Sequence, residues 1–123
     1  NLAIRQPQAA RRLVRAVDSP WFGILYEPAN LMAGSVDYRD AYRAFRGSIV
    51  HVHVKDSIAV PSARHPFTYV LPGDGAFPMA PLLAALRADD YAGPLSLEWE
   101  KMWHPYLPPL DDALAAAVAR GWW

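Results

Sequence analysis

The sequence contains no cysteine, which excludes both a disulfide framework and thiolate chemistry. It has no excess of either charge, since Lys and Arg together number 12 and so do Asp and Glu. A general nucleic-acid or membrane-surface binder would show a basic excess or a basic face, so neither partner is expected. No apolar run approaches the roughly 18 residues of a membrane span, and no signal-peptide pattern opens the chain. A cytoplasmic location is the expectation that fits. The opening Asn1-Leu2 carries no methionine, the start expected of a processed or partial chain. What remains is an ordinary globular balance, 53% apolar and 20% charged over 123 residues, enough for one domain with a sizeable core.

Apolar residues recur in helical stripes separated by short apolar runs. From Pro7, Ala10, Leu13, Val14 and Val17 fall at i, i+3, i+4, i+7, and Ser19-Pro20 ends that helix. WFGILYE (21–27) then reads as a buried strand. A second helix starts at Asp37, a capping residue, with Tyr38, Ala41, Tyr42 and Phe45 inward, and stops at Gly47. SIVHVHV (48–54) is the strongest strand signal; a loop from Ser57 leads to a weaker strand, FTYVL (67–71), and the turn PGDG. The third helix carries Met79, Leu82, Leu83 and Leu86, and LSLEW (95–99) is a fourth strand. A last helix places Leu110, Leu114, Ala117 and Val118 inward and stops near Gly121. Alternating helices and strands imply a parallel sheet with helices packed on it.

Strand side chains alternate between faces, and the alternation gathers polar groups. Val50, Val52 and Val54 share one face, while His51, His53 and Lys55 share the other. Glu27 and Glu98 stand at the ends of their own strands, on the face away from the greasy one. A (β/α)-barrel wall gives that arrangement, with helices outside and functional side chains at the C-terminal strand ends. Two carboxylates and a neutral imidazole at one mouth suit a divalent metal. Each residue also has an ordinary account, as a hydrogen-bonded core histidine or a solvated strand terminus.

LYEPANL (25–31), HVHVKD (51–56), LPGDG (71–75) followed by an amphipathic helix, and YAGPLSLEWE (91–100) come in one register. That series resembles the sugar phosphate isomerase/epimerase family of the xylose isomerase-like TIM-barrel superfamily, from about Gln8 to the end of the chain. The resemblance implies a (β/α)₈ barrel with a divalent cation at its mouth, Mn²⁺, Mg²⁺ or Co²⁺, with Zn²⁺ a further candidate. By motif, Glu27 matches the strand-five acid, His53 the strand-six histidine, and Glu98, not Glu100, the strand-eight glutamate. Asn30 matches a position near the substrate. The activity implied is sugar or sugar-phosphate isomerisation or epimerisation, by proton transfer next to a carbonyl through an enediolate, with Glu98 as catalytic base. Lys55 would neutralise an enolate or phosphate, or pair with Asp56 or Glu27. His51 would orient His53, touch a sugar hydroxyl or fill the lumen as a hydrogen-bonded group. An inosose-type dehydratase on the same scaffold is the alternative. The apurinic endonuclease branch would bring more metal-ligating histidines and a basic DNA-binding face.

The resemblance also has a gap. A full barrel needs about 250 residues, and this chain supplies 123, so the expectation is one half-barrel domain over 1–123 corresponding to strands five to eight. The family's strand-four glutamate would lie before Asn1. Three outcomes are open: a C-terminal fragment, two copies closing a dimeric barrel, or an incomplete and inactive half. PGDG could cradle a phosphate, although a tight βα turn is its ordinary account. Arg64-His65 could reach substrate from a loop that is otherwise solvated. Trp99, Trp103 and His104 could wall a sugar pocket or pack the last helix, while Trp122-Trp123 should seek apolar cover.

Overall fold

The computed structural model describes residues 6–33, 36–63 and 65–122; the expectations for Asn1-Leu2, Arg64 and Trp123 lie outside the described residues. In chain order the elements are α1 (Pro7–Val17), β1 (Ile24–Tyr26), α2 (Pro28–Ala33), α3 (Tyr38–Phe45), β2 (Ile49–Val54), β3 (Asp56–Ile58), β4 (Thr68–Val70), α4 (Met79–Ala88), β5 (Leu95–Leu97) and α5 (Leu110–Ala119). They fall into two compact units, Asn1–His53 with Gly93–Ser96, and Val54–Ala92 with Leu97–Trp123.

In the first unit β1 pairs in parallel with β2, setting Leu25 opposite His51 and Tyr26 opposite Val52. The Val52 N–H donates to Pro94 O at 3.1 Å, which brings β5 to the other side of β2 in the order β1-β2-β5. Tyr26 and Val52 are fully buried. The Tyr26 ring lies 5.9 Å from that of Tyr42 and 6.0 Å from that of Phe45, an aromatic seam between strand and helix. Its hydroxyl donates to Tyr38 O at 2.6 Å, and burial pushes the phenol pKa well above the ordinary value. α3 packs against both α1 and α2, and buries Ala41 and Phe45 as its stripe predicts. Its first turn is capped by Asp37, which accepts from the Arg39 N–H at 2.7 Å. α1 begins with proline at a position where a missing N–H costs nothing. Only Pro7 and Ala10 of α1 are buried, and Leu13 and Val17 of the expected stripe stay in solvent.

The second unit departs from the expected alternation. FTYVL does form a strand, β4, but it runs antiparallel to β3, with Asp56 opposite Val70 and Ile58 opposite Thr68. A parallel return needs a crossover of a dozen or more residues, usually helical. The connection 59–67 is too short and carries no helix among its described residues, so a hairpin is the outcome. α4 buries Met79, Leu82, Leu83 and Leu86 as expected. α5 follows the pattern read for it only at Ala117: Ala113 and Ala117 are fully buried, while Leu110, Leu114 and Val118 are exposed. Small residues let a helix axis approach its neighbour closely, and an apolar side chain on the surface is common. Trp122 is buried, as its size predicts, and Trp99 Nε1 donates to Pro108 O at 3.0 Å beside the start of α5.

Candidate functional site

The first unit carries four of the anticipated residues. Glu27 directly follows β1 and is half-buried, held between the strand and the proline that opens α2. Asn30 lies on α2, exposed. On β2 the alternation holds from His51 onward: Val52 and Val54 are buried, His51 and His53 are half-buried, but Val50, expected on the buried face, is exposed. His51 Nε2 and Ser96 Oγ share a hydrogen bond of 2.7 Å. The two imidazoles meet edge to face, 5.0 Å between centroids and perpendicular. His51 is therefore a hydrogen-bonded group that abuts His53.

The second unit builds a charged cluster around Lys55, which is only 3% exposed. Its Nζ lies 2.7 Å from Glu98 Oε2 and donates to Glu100 Oε1 at 3.1 Å. The same ammonium sits over the Tyr69 ring, 4.9 Å from the centroid. A buried ammonium is tolerated only when compensated, and here two carboxylates and an aromatic face do so. Glu98 and Glu100 are two apart in an extended segment, so they project to the same side. The Glu98 N–H donates to Val54 O at 3.0 Å, which fixes that segment beside the end of β2. Glu100 extends the cluster, since its Oε2 lies 3.4 Å from Nε2 of the buried His104. Sequence reasoning set Glu100 aside as lying past the strand end. The E-x-E spacing, and the i,i+4 spacing to His104, were the available signals.

Lys55 was expected to pair with Asp56 or Glu27 when not on substrate. Asp56 is committed elsewhere. Its buried carboxylate accepts four backbone N–H groups: Ser57 at 2.9 Å and Phe77 at 3.1 Å on Oδ1, Gly73 at 3.0 Å and Gly75 at 3.0 Å on Oδ2. The glycines serve this approach: a Cβ on Gly75 would run into the carboxylate, and Gly73 has φ of +86°. PGDG is therefore an anion-binding turn whose anion is internal, and it is not a phosphate cradle. The reading of a tight turn after a strand holds.

A groove of about 660 Å³ lies alongside, lined among others by Ser62, Thr68, Met102, Trp103, His104 and Tyr106. His65, Phe67, Tyr69, His104 and Tyr106 form a run of ring contacts with centroids 4.9–5.6 Å apart. Trp103 and His104, offered either as a sugar-pocket wall or as packing for the last helix, line this groove.

A parallel sheet whose buried face carries valine and tyrosine, and whose strands end in glutamate and histidine, is the wall of a TIM barrel. The chain belongs to the xylose isomerase-like TIM barrel family, whose model matches residues 3–122. Its sequence relatives are sugar epimerases. It is 31% identical over 106 residues to the L-ribulose-5-phosphate 3-epimerase UlaE of Escherichia coli, covering 86% of this chain and 34% of that protein. The same protein of Salmonella paratyphi C matches at 31% over 106 residues. Among solved structures, a xylose isomerase domain protein from Planctomyces limnophilus superposes with a TM-score of 0.72 at 25% identity, over 92% of this chain and 41% of that one. The 3-keto-D-glucoside 4-epimerase YcjR of E. coli, in its apo form, superposes with a TM-score of 0.68 at 23% identity, over 99% and 40%. The chain thus spans about a third of the length of the curated relatives it matches.

Proposed function

We propose that this chain supplies half of the active site of a divalent-metal-dependent sugar or sugar-phosphate epimerase. The observation that carries the reading is the Glu98 carboxylate held 2.7 Å from a buried lysine, in the motif that matches the family's strand-eight acid. Glu98 is the base that takes the proton from the carbon next to a carbonyl. Lys55 fixes the carboxylate in place and sets a positive charge beside the position where enediolate charge grows. His51, bonded to Ser96, steadies His53. Asn30, on the exposed side of α2, is assigned to a sugar hydroxyl.

The donor types suit a divalent cation. Glu27, His53 and Glu98 offer carboxylates and one imidazole, ligands suited to Mn²⁺, Mg²⁺, Co²⁺ or Zn²⁺. A carboxylate has about four acceptor sites, so the lysine on Glu98 Oε2 leaves acceptor capacity for a second cation. When bound, the metal supplies Lewis-acid polarisation of the carbonyl. The second acid–base group of the pair, the strand-four glutamate of the family, is assigned to the other half of the barrel. We place the protein in the cytoplasm; among the described residues no helix is long and apolar enough to cross a membrane.

The test is deuterium incorporation from D₂O into ketose substrates by the full-length protein, with its metal content measured by mass spectrometry. Wash-in at the carbon next to the carbonyl, with one cation per site, is expected. Glu98→Gln should abolish wash-in while the variant stays folded by circular dichroism, with a lowered melting temperature because Lys55 loses one of its two carboxylates. Retained wash-in in that variant would remove Glu98 from the mechanism.

A further inference from the structure

We propose that the groove beside the Lys55 cluster is a subsite for the neutral, glycosidically extended part of the substrate, so that the sugar turned over is an uncharged glycoside rather than a phosphorylated monosaccharide. This inference rests on the epimerase reading above and narrows its substrate class. Its first support is where the two lysines of the second unit and the N–H groups of the PGDG turn have gone. A phosphate needs Arg, Lys or a set of free backbone N–H groups. The N–H groups of the PGDG turn converge on Asp56. Lys55 is matched by two carboxylates, and Lys101, the other lysine of the chain, donates to the carbonyls of Pro105 and Leu107. Among the described residues lining the groove there is no Lys or Arg.

The second support is what the groove does offer. Met102 is 77% exposed, Trp103 61% and Tyr106 50%, a concentration of apolar surface that a soluble protein rarely leaves without use. Flat rings present faces to the C–H side of a pyranose, and hydroxyl-bearing neighbours meet its O–H groups. Ser62 supplies one such group: its Oγ is buried without a hydrogen-bond partner among the described residues. Buried hydroxyls nearly always have a partner, so this one is poised for a ligand. The volume of about 660 Å³ falls in the range of small-molecule sites, roughly 300–1,000 Å³.

The third support is continuity with the chemistry. His104 belongs to both places: it lines the groove, and its Nε2 lies 3.4 Å from Glu100 of the lysine cluster. Its ring also stands edge-on to Tyr69, 4.9 Å away, and Tyr69 is the ring beneath the Lys55 ammonium. The Trp103–Tyr106 shelf and the acid cluster are thus joined through the buried His104 and Tyr69 rings.

The experiment is saturation-transfer NMR on the full-length protein with three probes: cellobiose, D-glucose and D-ribulose 5-phosphate. Cellobiose should bind at least tenfold more tightly than either single-ring probe. Trp103→Ala should weaken cellobiose about tenfold, the scale of one lost aromatic stacking partner, and Ser62→Ala severalfold. Both variants should keep the parent circular-dichroism melting curve, since Trp103 is largely exposed and Ser62 is small. Ribulose 5-phosphate binding most tightly, or cellobiose indifferent to Trp103→Ala, would overturn the proposal. So would a change in sedimentation mass in Trp103→Ala with cellobiose binding unaltered, which would make the shelf a protein interface. Deuterium wash-in separates this from the broader reading. Cellobiose held by Trp103 with no wash-in on any sugar sinks the epimerase and spares the groove. Wash-in on a phosphorylated ketose, with cellobiose unbound, does the reverse.

Discussion

Replacing Asp56 by alanine removes the common acceptor of four backbone N–H groups, those of Ser57, Gly73, Gly75 and Phe77. The carboxylate is 2% exposed, so little water is at hand to take its place. A hydrogen bond to a charged acceptor contributes about 1.5–3 kcal/mol, and a stranded buried donor costs about 1–3 kcal/mol. Four donors share one carboxylate and the loop relaxes in part, so these figures do not add. A loss of about 4 kcal/mol is the working value, a large share of the roughly 5–15 kcal/mol that holds a domain folded. With a urea slope of about 2 kcal/mol/M, the unfolding midpoint should fall by about 2 M. The assay is equilibrium urea unfolding of the full-length protein, followed by tryptophan fluorescence. Asp56→Asn sharpens it: one oxygen can still accept two N–H groups, but the amide nitrogen then faces the other two. The asparagine variant should recover less than half of the loss. An alanine variant within about 1 kcal/mol of the parent, or an asparagine variant as stable as the parent, would refute the account.

Two further outcomes follow from charges. Lys55→Met leaves Glu98 and Glu100 without their shared cation; since both carboxylates are about a quarter exposed, the stability loss is put at about 2 kcal/mol, with turnover down more than tenfold. Urea unfolding and steady-state kinetics check it, and a variant unchanged in both would remove Lys55 from the site. The Arg39 guanidinium and N–H beside Asp37 hold its carboxyl at about 2, below the ordinary 3.8. A depressed carboxyl stabilises above its ordinary value and loses that contribution as pH falls from about 3.8 through about 2. Melting temperatures of the parent should therefore fall more steeply over that window than those of Asp37→Asn; parallel curves would count against the cap.

Much of the site was legible because strand periodicity is strict. A period of two assigned Val52 to the buried face and His51 and His53 to the other, and the structure places them so. Glu98 was readable for the same reason. Glu100 was placed on the same face but past the strand end, and its contact with Lys55 was not read. The fold was legible wherever a stripe met one partner, as in α4. It misled in α5, where four apolar positions competed and the smallest side chains took the interior. β3 escaped notice because three residues carry no period, and its pairing with β4 is set by loop length and not by side-chain pattern. PGDG signalled a backbone ready to bind an anion, but the identity of that anion came from a residue some twenty positions upstream.

That clasp closes a ring. Asp56 at one end and Gly73, Gly75 and Phe77 at the other join residues 56–77 into a circuit without a covalent bond, and the β3–β4 hairpin lies wholly inside it. The hairpin loop 59–67 hangs from that clasp and meets the rest of the chain through His65, whose ring lies 5.5 Å from that of His104. Ser62 stands in that loop, and Lys55 stands just outside the circuit. His104 is the link between the two, lining the groove and lying 3.4 Å from Glu100 of the lysine cluster.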